Sequence, residues 1–545
     1  MQAKDIHKDF REYSIAEFFK KNRQMLGYSG KIKSLTTAVH EYVTNALDAC
    51  EEAGILPDIY VKIEQLSSEH YKLIVEDNGP GISKKLVGKA FGTMLAGTKF
   101  HRFQQARGQQ GIGAAGVVMF SQITTGKPTR IVTSKGDGKI YECYVSIDVK
   151  TNTAKIEEEK EYPGTMRGLR IESELKGVKY QKGEYSPDEY LRRTALSNPH
   201  MKLTYITPDG LTTVYERAIA RLPKIPKPAK PHPKGITVDD LLGYASRTRA
   251  RTVKSFLIND FSRVSAAKVK EIQDKVSFDL NKRPQDLTWQ EAGEIINAIK
   301  QINFIAPPTD CLIPIGKEQL ERAVENILKP EFKAILTRPP AIYRGGVPFI
   351  VEVALAYGGK AGKQSKNGEE NKLEIMRFAN RVPLLFDAGS CAITKAVQSV
   401  EWKRYKIDEN TPITIIVNFT SIYVPYTGAG KESIADEEEI LKEIRLALMD
   451  AARKVGSYVS GVRRKHEKEK RIKEFMKYIP ETARAIAKLT GKDEKLIEEK
   501  LKKIVMEKYE EVEEEPVNGN GSKEILEEEL KEEKMIEELR KEAEE

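Results

Sequence analysis

Apolar residues recur with a helical period early in the chain: Leu35, Ala38, Val39, Tyr42 and Ala46 cover several faces of one segment. Its polar residues Glu41, Asn45 and Asp48 stand at i, i+4 and i+7, which puts them on a single stripe. Strand-like runs follow in YKLIVED (71–77) and GLRIESEL (168–175). This mixture predicts an α/β sandwich rather than a bundle. Repeated proline in LPKIPKPAKPHPKG (222–235) rules out helix or central strand and predicts an extended connector. Three short helices are expected after it, in TRARTVKSFLINDF, SAAKVKEIQDKV and TWQEAGEIINAIKQI. From about Pro307 strand signals return in PFIVEVALAYGG, LEIMRFANRVPLLF and ITIIVNFTSIYVPY, alternating with helical stretches. Ile440, Ile444, Leu448, Ala451, Val455 and Val459 then mark one long amphipathic helix. PVNGNGS (516–522) predicts a flexible joint before an acidic helical tail.

At 545 residues the chain exceeds what one hydrophobic core supports, so three or four domains are expected. The boundaries read as 1–222, 223–306, 307–470 and 471–545. With 40% hydrophobic and 31% charged residues the composition is that of a soluble globular protein. The formal charge of +9 includes the acidic tail, so the body is more basic than the total and favours a polyanionic partner. Abundant Lys and Glu are also a habit of heat-adapted proteins. Cys50, Cys143, Cys311 and Cys391 stand far apart, without zinc-type spacing, which suits a reducing cytoplasm. No apolar run approaches membrane-span length, and the charged start MQAKDIHKDFREYS does not read as a signal peptide.

Three motifs carry chemistry. The first is the Glu41, Asn45, Asp48 stripe. The second is Asp77-Asn78-Gly79-Pro80-Gly81, where an apolar strand ends in a carboxylate and the glycines permit close ligand approach. The third is ARGQQGIGAAG, in which Gly108, Gly111 and Gly113 can expose backbone N–H groups at a helix start. Taken singly, the first is also an ordinary solvated face and the second a tight turn. The third is neither a P-loop, since no G-K-[ST] follows, nor a dinucleotide fingerprint, since no βαβ unit frames it.

In this order within one domain, the three resemble the GHKL ATPases, whose fold is the Bergerat α/β sandwich. Gly164-Thr165 resembles that family's last nucleotide-site element, although Arg167 stands where an apolar residue is more usual. The resemblance implies ATP and Mg²⁺ as cofactors. Asp77 would accept a hydrogen bond from the adenine amino group, which guanine cannot donate. Asn45 would carry the metal, whose oxygen preference a neutral amide suits, and Glu41 would orient or deprotonate the attacking water. Asp48, Gly79, Gly81 and Thr165 would also belong to the nucleotide site. Gly108, Gln109, Gln110, Gly111, Ile112, Gly113 and Ala114 would cradle the phosphates. The stretch from Thr98 and Lys99 to Gly113 would form a mobile lid.

The expected fold class is therefore α+β multidomain: a GHKL domain, a helix-two-turns-helix domain, and an α/β transducer with a long C-terminal helix. That order is similar to the topoisomerase VI B subunits, up to about residue 480. Glu401-Trp402-Lys403-Arg404-Tyr405 resembles their transducer motif and implies that Lys403 reaches the γ-phosphate. The other reading of that lysine is a solvated residue beside a packed tryptophan. The resemblance implies an ATP-driven dimerisation gate that captures duplex DNA and couples turnover to double-strand passage, in relaxation and decatenation. Among 22 tyrosines none stands in a strand-cleaving setting, so a separate DNA-cleaving A subunit is expected, in an A2B2 assembly docked through the long helix and KYIPETARAIAKLTG. Arg247, Arg249, Arg251, Lys254, Arg263, Lys268 and Lys270 are candidate phosphate contacts, or a soluble face. A mismatch-repair-type ATPase and a GHKL chaperone are the alternatives.

Overall fold

The computed structural model describes residues 13–97, 104–108, 111–363, 372–428 and 430–510. Contacts divide it into two units, one of residues up to Glu401 with Glu409–Ala451, the other of Trp402–Asp408 with the chain from Ala452. Neither coincides with a segment boundary read from the sequence. The joint and acidic tail expected after residue 515 lie outside the described residues.

The first unit opens with helix α1 (Ile15–Lys21), capped by the Ser14 hydroxyl on the Glu17 amide, and α2 (Lys31–Glu52). Strands β1 (Asp58–Ser67) and β2 (His70–Asp77), helices α3 (Lys84–Phe91) and α4 (Gly113–Thr125), and strands β3 (Thr129–Lys135), β4 (Lys139–Asp148), β5 (Thr153–Pro163) and β6 (Arg167–Lys176) follow. Helix α5 (Pro187–Ser197) precedes β7 (Lys202–Ile206) and β8 (Thr212–Tyr215). The eight strands form one sheet in the order β5-β4-β3-β6-β2-β1-β7-β8, antiparallel except for β1 with β7. Strand β1 buries Ile59, Val61 and Ile63 at every second position, the period that loads one face of a sheet. Against that face pack Leu35, Val39, Tyr42 and Val43 of α2 and Val117 and Val118 of α4, one apolar core. The sandwich read from the sequence is thus present.

The Pro-rich connector leads into four helices, α6 (Val238–Ala245), α7 (Val253–Asp260), α8 (Ala266–Gln273) and α9 (Trp289–Gln301). Three were expected, and α6 is the addition. Its start was legible, because Thr237 and Asp240 form a reciprocal cap. Thr252 with Ser255 and Thr288 with Glu291 do the same for α7 and α9. Leu241, Phe256, Ile272, Ile295 and Ile299 make a core of their own.

Helix α10 (Lys317–Leu328) then covers a second sheet, built from β9 (Phe332–Thr337), β10 (Ala341–Tyr343), β11 (Val347–Tyr357), β12 (Glu374–Ala379), β13 (Val382–Pro383) and β14 (Ile413–Ser421). Its order is β10-β11-β14-β12-β13, with β9 also on β11. Both β11 and β14 are buried along almost their whole length, as strands covered on both faces are. A short helix α11 (Ala392–Gln398) lies between β13 and β14. Helix α12 (Glu438–Thr490) begins in the first unit, where Arg338 bonds Glu443 at 3.0 Å and Asp450 at 3.4 Å.

The second unit contains the rest of α12, helix α13 (Glu494–Glu510) and the turn Trp402–Tyr405. That turn rests on α12 at Gly456, where a Cβ would lie 2.9 Å from the Tyr405 carbonyl oxygen. Among the described residues no helix is long and apolar enough to cross a membrane.

Candidate active site

A cavity of about 760 Å³ opens in the first unit over α2, the end of β2 and the start of α4. Glu41 and Asn45 project from α2 into it, and Asn45 is exposed there. Asp77, Gly81, Gly108, Gly111, Ile112, Gly113 and Ala114 also line it. The sequence stripe and both glycine motifs therefore meet around one space.

At one end Asp77 is 5% exposed and accepts the Gly79 amide at 2.8 Å. Burial raises its pKa to about 6, only partly offset by the amides of Gly79 and Leu169. Two glycines make room for this carboxylate's strand. Gly81 has φ +67°, and a Cβ there would come within 2.2 Å of the Ser134 carbonyl oxygen. Gly168 has φ +113°, and a Cβ there would lie 1.9 Å from the Asp77 carbonyl oxygen. Gly79 bonds Asp77 and is not part of the lining.

At the other end α4 starts with no side-chain cap, so the first N–H groups of a 13-residue helix are left to the cavity. Gly113 is its first residue. A Cβ there would stand 2.0 Å from Glu41 Oε2, so the glycine is what allows a carboxylate to sit against the helix start. His40, partly buried, lines the cavity with its ring 5.2 Å from that of Tyr190, and desolvation lowers its pKa.

The wall is completed from far along the chain, by Pro383 to Phe386 and by Gly430, Lys431 and Glu432. Lys431 Nζ donates to the Arg107 carbonyl oxygen at 3.4 Å. Sequence reasoning missed this lysine. The usable signal was Gly428-Ala429-Gly430-Lys431, a glycine-rich approach to a cation just after a core strand.

Other expected residues stand elsewhere. Thr165 is exposed in the turn before β6 and does not line the cavity; Leu169, two residues past Arg167, does. Asp48 turns away from the cavity and binds Arg107 Nη1 at 2.7 Å. Arg107 also holds Glu51 at 2.6 Å and Asn198 at 2.6 Å, and Glu51 meets His200 at 2.7 Å. Burial alone would raise the Glu51 pKa, but Arg107 and His200 outweigh it and hold the carboxyl well below its usual range. Lys403 is exposed on the Trp402–Tyr405 turn of the second unit. Thr98, Lys99, Gln109 and Gln110 lie outside the described residues.

In the stretch expected to form a lid, the described residues Gln104 to Arg107 are fastened on several sides. Gln105 exchanges two hydrogen bonds with the Ile313 backbone, at 2.7 and 3.0 Å. Asn380 donates to the Ala106 carbonyl oxygen at 3.2 Å, and Gln104 donates to that of Pro226. Gly108, the next residue after Arg107, is the first on this side to line the cavity.

Comparison with known proteins agrees with this geometry. Residues 30–151 match the family model described as histidine kinase-, DNA gyrase B- and HSP90-like ATPase. Residues 307–471 match the transducer of the topoisomerase VI B subunit. Among curated relatives, the type 2 DNA topoisomerase 6 B subunit of Pyrococcus horikoshii is 49% identical, covering 93% of this chain and 97% of its own. Those of Thermococcus kodakarensis and Methanothermobacter thermautotrophicus are 47% and 46% identical, covering 93% and 90% of this chain and 97% and 95% of their own. With both family models in chain order and identity sustained over nine-tenths of the sequence, this chain belongs to the family of type 2 DNA topoisomerase 6 B subunits.

Proposed function

We propose that the chain is the ATP-hydrolysing subunit of a type IIB DNA topoisomerase, which closes as a dimer around duplex DNA when ATP binds. The observation that carries the reading is the Glu41 carboxylate packed against Gly113, the first residue of an uncapped helix, inside a cavity whose far end holds the buried Asp77. A helix start attracts phosphate, a carboxylate beside it can orient and deprotonate water, and a buried acceptor suits the adenine amino group. Asn45, exposed on the same wall, would supply one oxygen to Mg²⁺, which neutralises developing phosphate charge when bound.

Lys431 is assigned to the γ-phosphate in place of Lys403, because Lys431 lines the cavity. Asp48 is assigned to holding Arg107 rather than to nucleotide. With no strand-cleaving tyrosine recognised in the sequence, scission belongs to a separate A subunit in an A2B2 assembly. The cations of the helical domain, among them Arg247, Arg249 and Arg251, are assigned to phosphate contacts along the duplex. The test is ATP-dependent relaxation of supercoiled DNA by the chain reconstituted with its A subunit, with wild type and Glu41→Gln in parallel. Relaxation by wild type alone supports the reading, and ATP hydrolysis unaffected by Glu41→Gln removes it.

A further inference from the structure

Lys431 sits on a loop whose own shape is strained. Its φ is +53°, in the left-handed region where a non-glycine residue persists only when its surroundings hold it. The loop closes on itself through the Thr427 amide on the Ser433 carbonyl oxygen at 3.0 Å and the Lys431 amide on the Gly428 carbonyl oxygen at 3.1 Å. Those bonds shape the turn but do not aim it. What ties it to the ATPase helix is the next residue. Glu432 accepts from Lys33 Nζ at 2.6 Å, and both side chains are largely buried, 14% and 22% exposed.

Lys33 belongs to the first turn of α2, two turns before Glu41 on the same helix. Its ammonium also lies 4.9 Å from the Phe386 ring centroid, on the distant part of the wall. One cation thus touches both segments that complete the cavity from beyond residue 380. Gly430 fits the same arrangement, since a Cβ there would be 3.1 Å from Glu432 Oε1.

We infer that the Lys33–Glu432 ion pair is the latch that positions Lys431 in the cavity, so that the transducer's phosphate-reading lysine is registered directly on the helix bearing Glu41 and Asn45. The inference rests on the assignment of Lys431 to the γ-phosphate. Lys33 and Glu432 are positioning residues, acting through Lys431 and touching no nucleotide. Losing the pair frees the loop to leave its strained conformation, and a displacement of about 1 Å at a reacting group can cost on the order of a hundredfold in rate.

The experiment is steady-state ATP turnover and ADP affinity for the full chain carrying Lys33→Glu, Glu432→Lys, both together, or Lys431→Ala, with thermal melting to confirm folding. Each single charge reversal is expected to lower kcat about tenfold or more while ADP affinity stays within about twofold. The double reversal restores an ion pair at the same place and is expected to recover most of the lost kcat, a coupling that loss of stability alone does not produce. Single variants with wild-type kcat overturn the latch, as does a folded double variant no faster than the singles. Should a single variant fail to fold, the comparison of the double variant with Glu432→Gln decides instead, and equal turnover in those two overturns the proposal. Wild-type kcat in Lys431→Ala identifies the failure as one of the underlying assignment, whatever the ion pair does.

Discussion

Two walls of the same cavity were assembled in different ways. The first, from α2, the end of β2 and the start of α4, is made of residues close in sequence, each fixed by a local rule: a helical stripe, a strand end, a helix start freed by glycine. The second, from Pro383 to Phe386 and Gly430 to Glu432, reaches the cavity only because a second sheet packs nearby. The contrast amounts to a division of labour. On the proposed reading the near wall would serve water and adenine, while the far wall contributes a lysine whose presence depends on how the transducer lies. A ligand that touches both can shift the relation between them only through contacts that differ between states.

The largest expected effect breaks the near wall at its centre. Glu41→Gln should retain ATP binding and lower kcat by about 10²–10⁴, the usual contribution of a general base, measured by turnover against nucleotide affinity. Next is the joint between the walls. Arg107→Ala would leave Asp48 and Glu51 buried without their cation and should destabilise the protein by roughly 3–5 kcal/mol in denaturant unfolding. Gly113→Ala places a methyl against Glu41 and should lower kcat about tenfold or more, with melting temperature little changed because the site is open to the cavity.

Asp77→Asn is the smallest and moves two quantities in opposite directions. ATP affinity should fall about tenfold through loss of a charge-assisted bond, read by calorimetry. Stability should rise. Since the folded pKa is raised to about 6, the native protein binds a proton between the ordinary value of 3.8 and 6 that the unfolded chain does not. The charged carboxylate's penalty therefore grows as pH rises through that window and is complete above it. The variant should gain up to about 3 kcal/mol at pH 7 and nearly nothing below pH 4. Equal gains at both pH values would contradict the burial argument.

How far the sequence reached follows the same contrast. Glu41, Asn45, Asp77 and the glycines were legible because each is tied to a strand end or a helix start by its immediate neighbours. Asp48 shows the limit of spacing. Seven residues bring it back to the angular position of Glu41 but about 10 Å further along the axis, where it meets Arg107 rather than the cavity. Thr165 shows another, since the glycine that β6 needs beside Asp77 is Gly168, four residues later than Gly164. The helical domain was legible by its caps, α6 included, although the Thr237 cap was passed over because it follows closely on the proline run. Lys431 offered only a weak local signal, the glycine-rich run that precedes it. Its place in the cavity depends on the strained turn and on Lys33, almost four hundred residues earlier.

Whether the transducer completes the catalytic cavity through Lys431 is decided by ATP turnover at saturating nucleotide in Lys431→Ala and Lys403→Ala, each with ADP affinity measured alongside. Lys431→Ala is expected to lower kcat at least about tenfold with ADP affinity within about twofold, and Lys403→Ala to lose less. Wild-type turnover in Lys431→Ala, or a larger loss in Lys403→Ala, would contradict that role for Lys431.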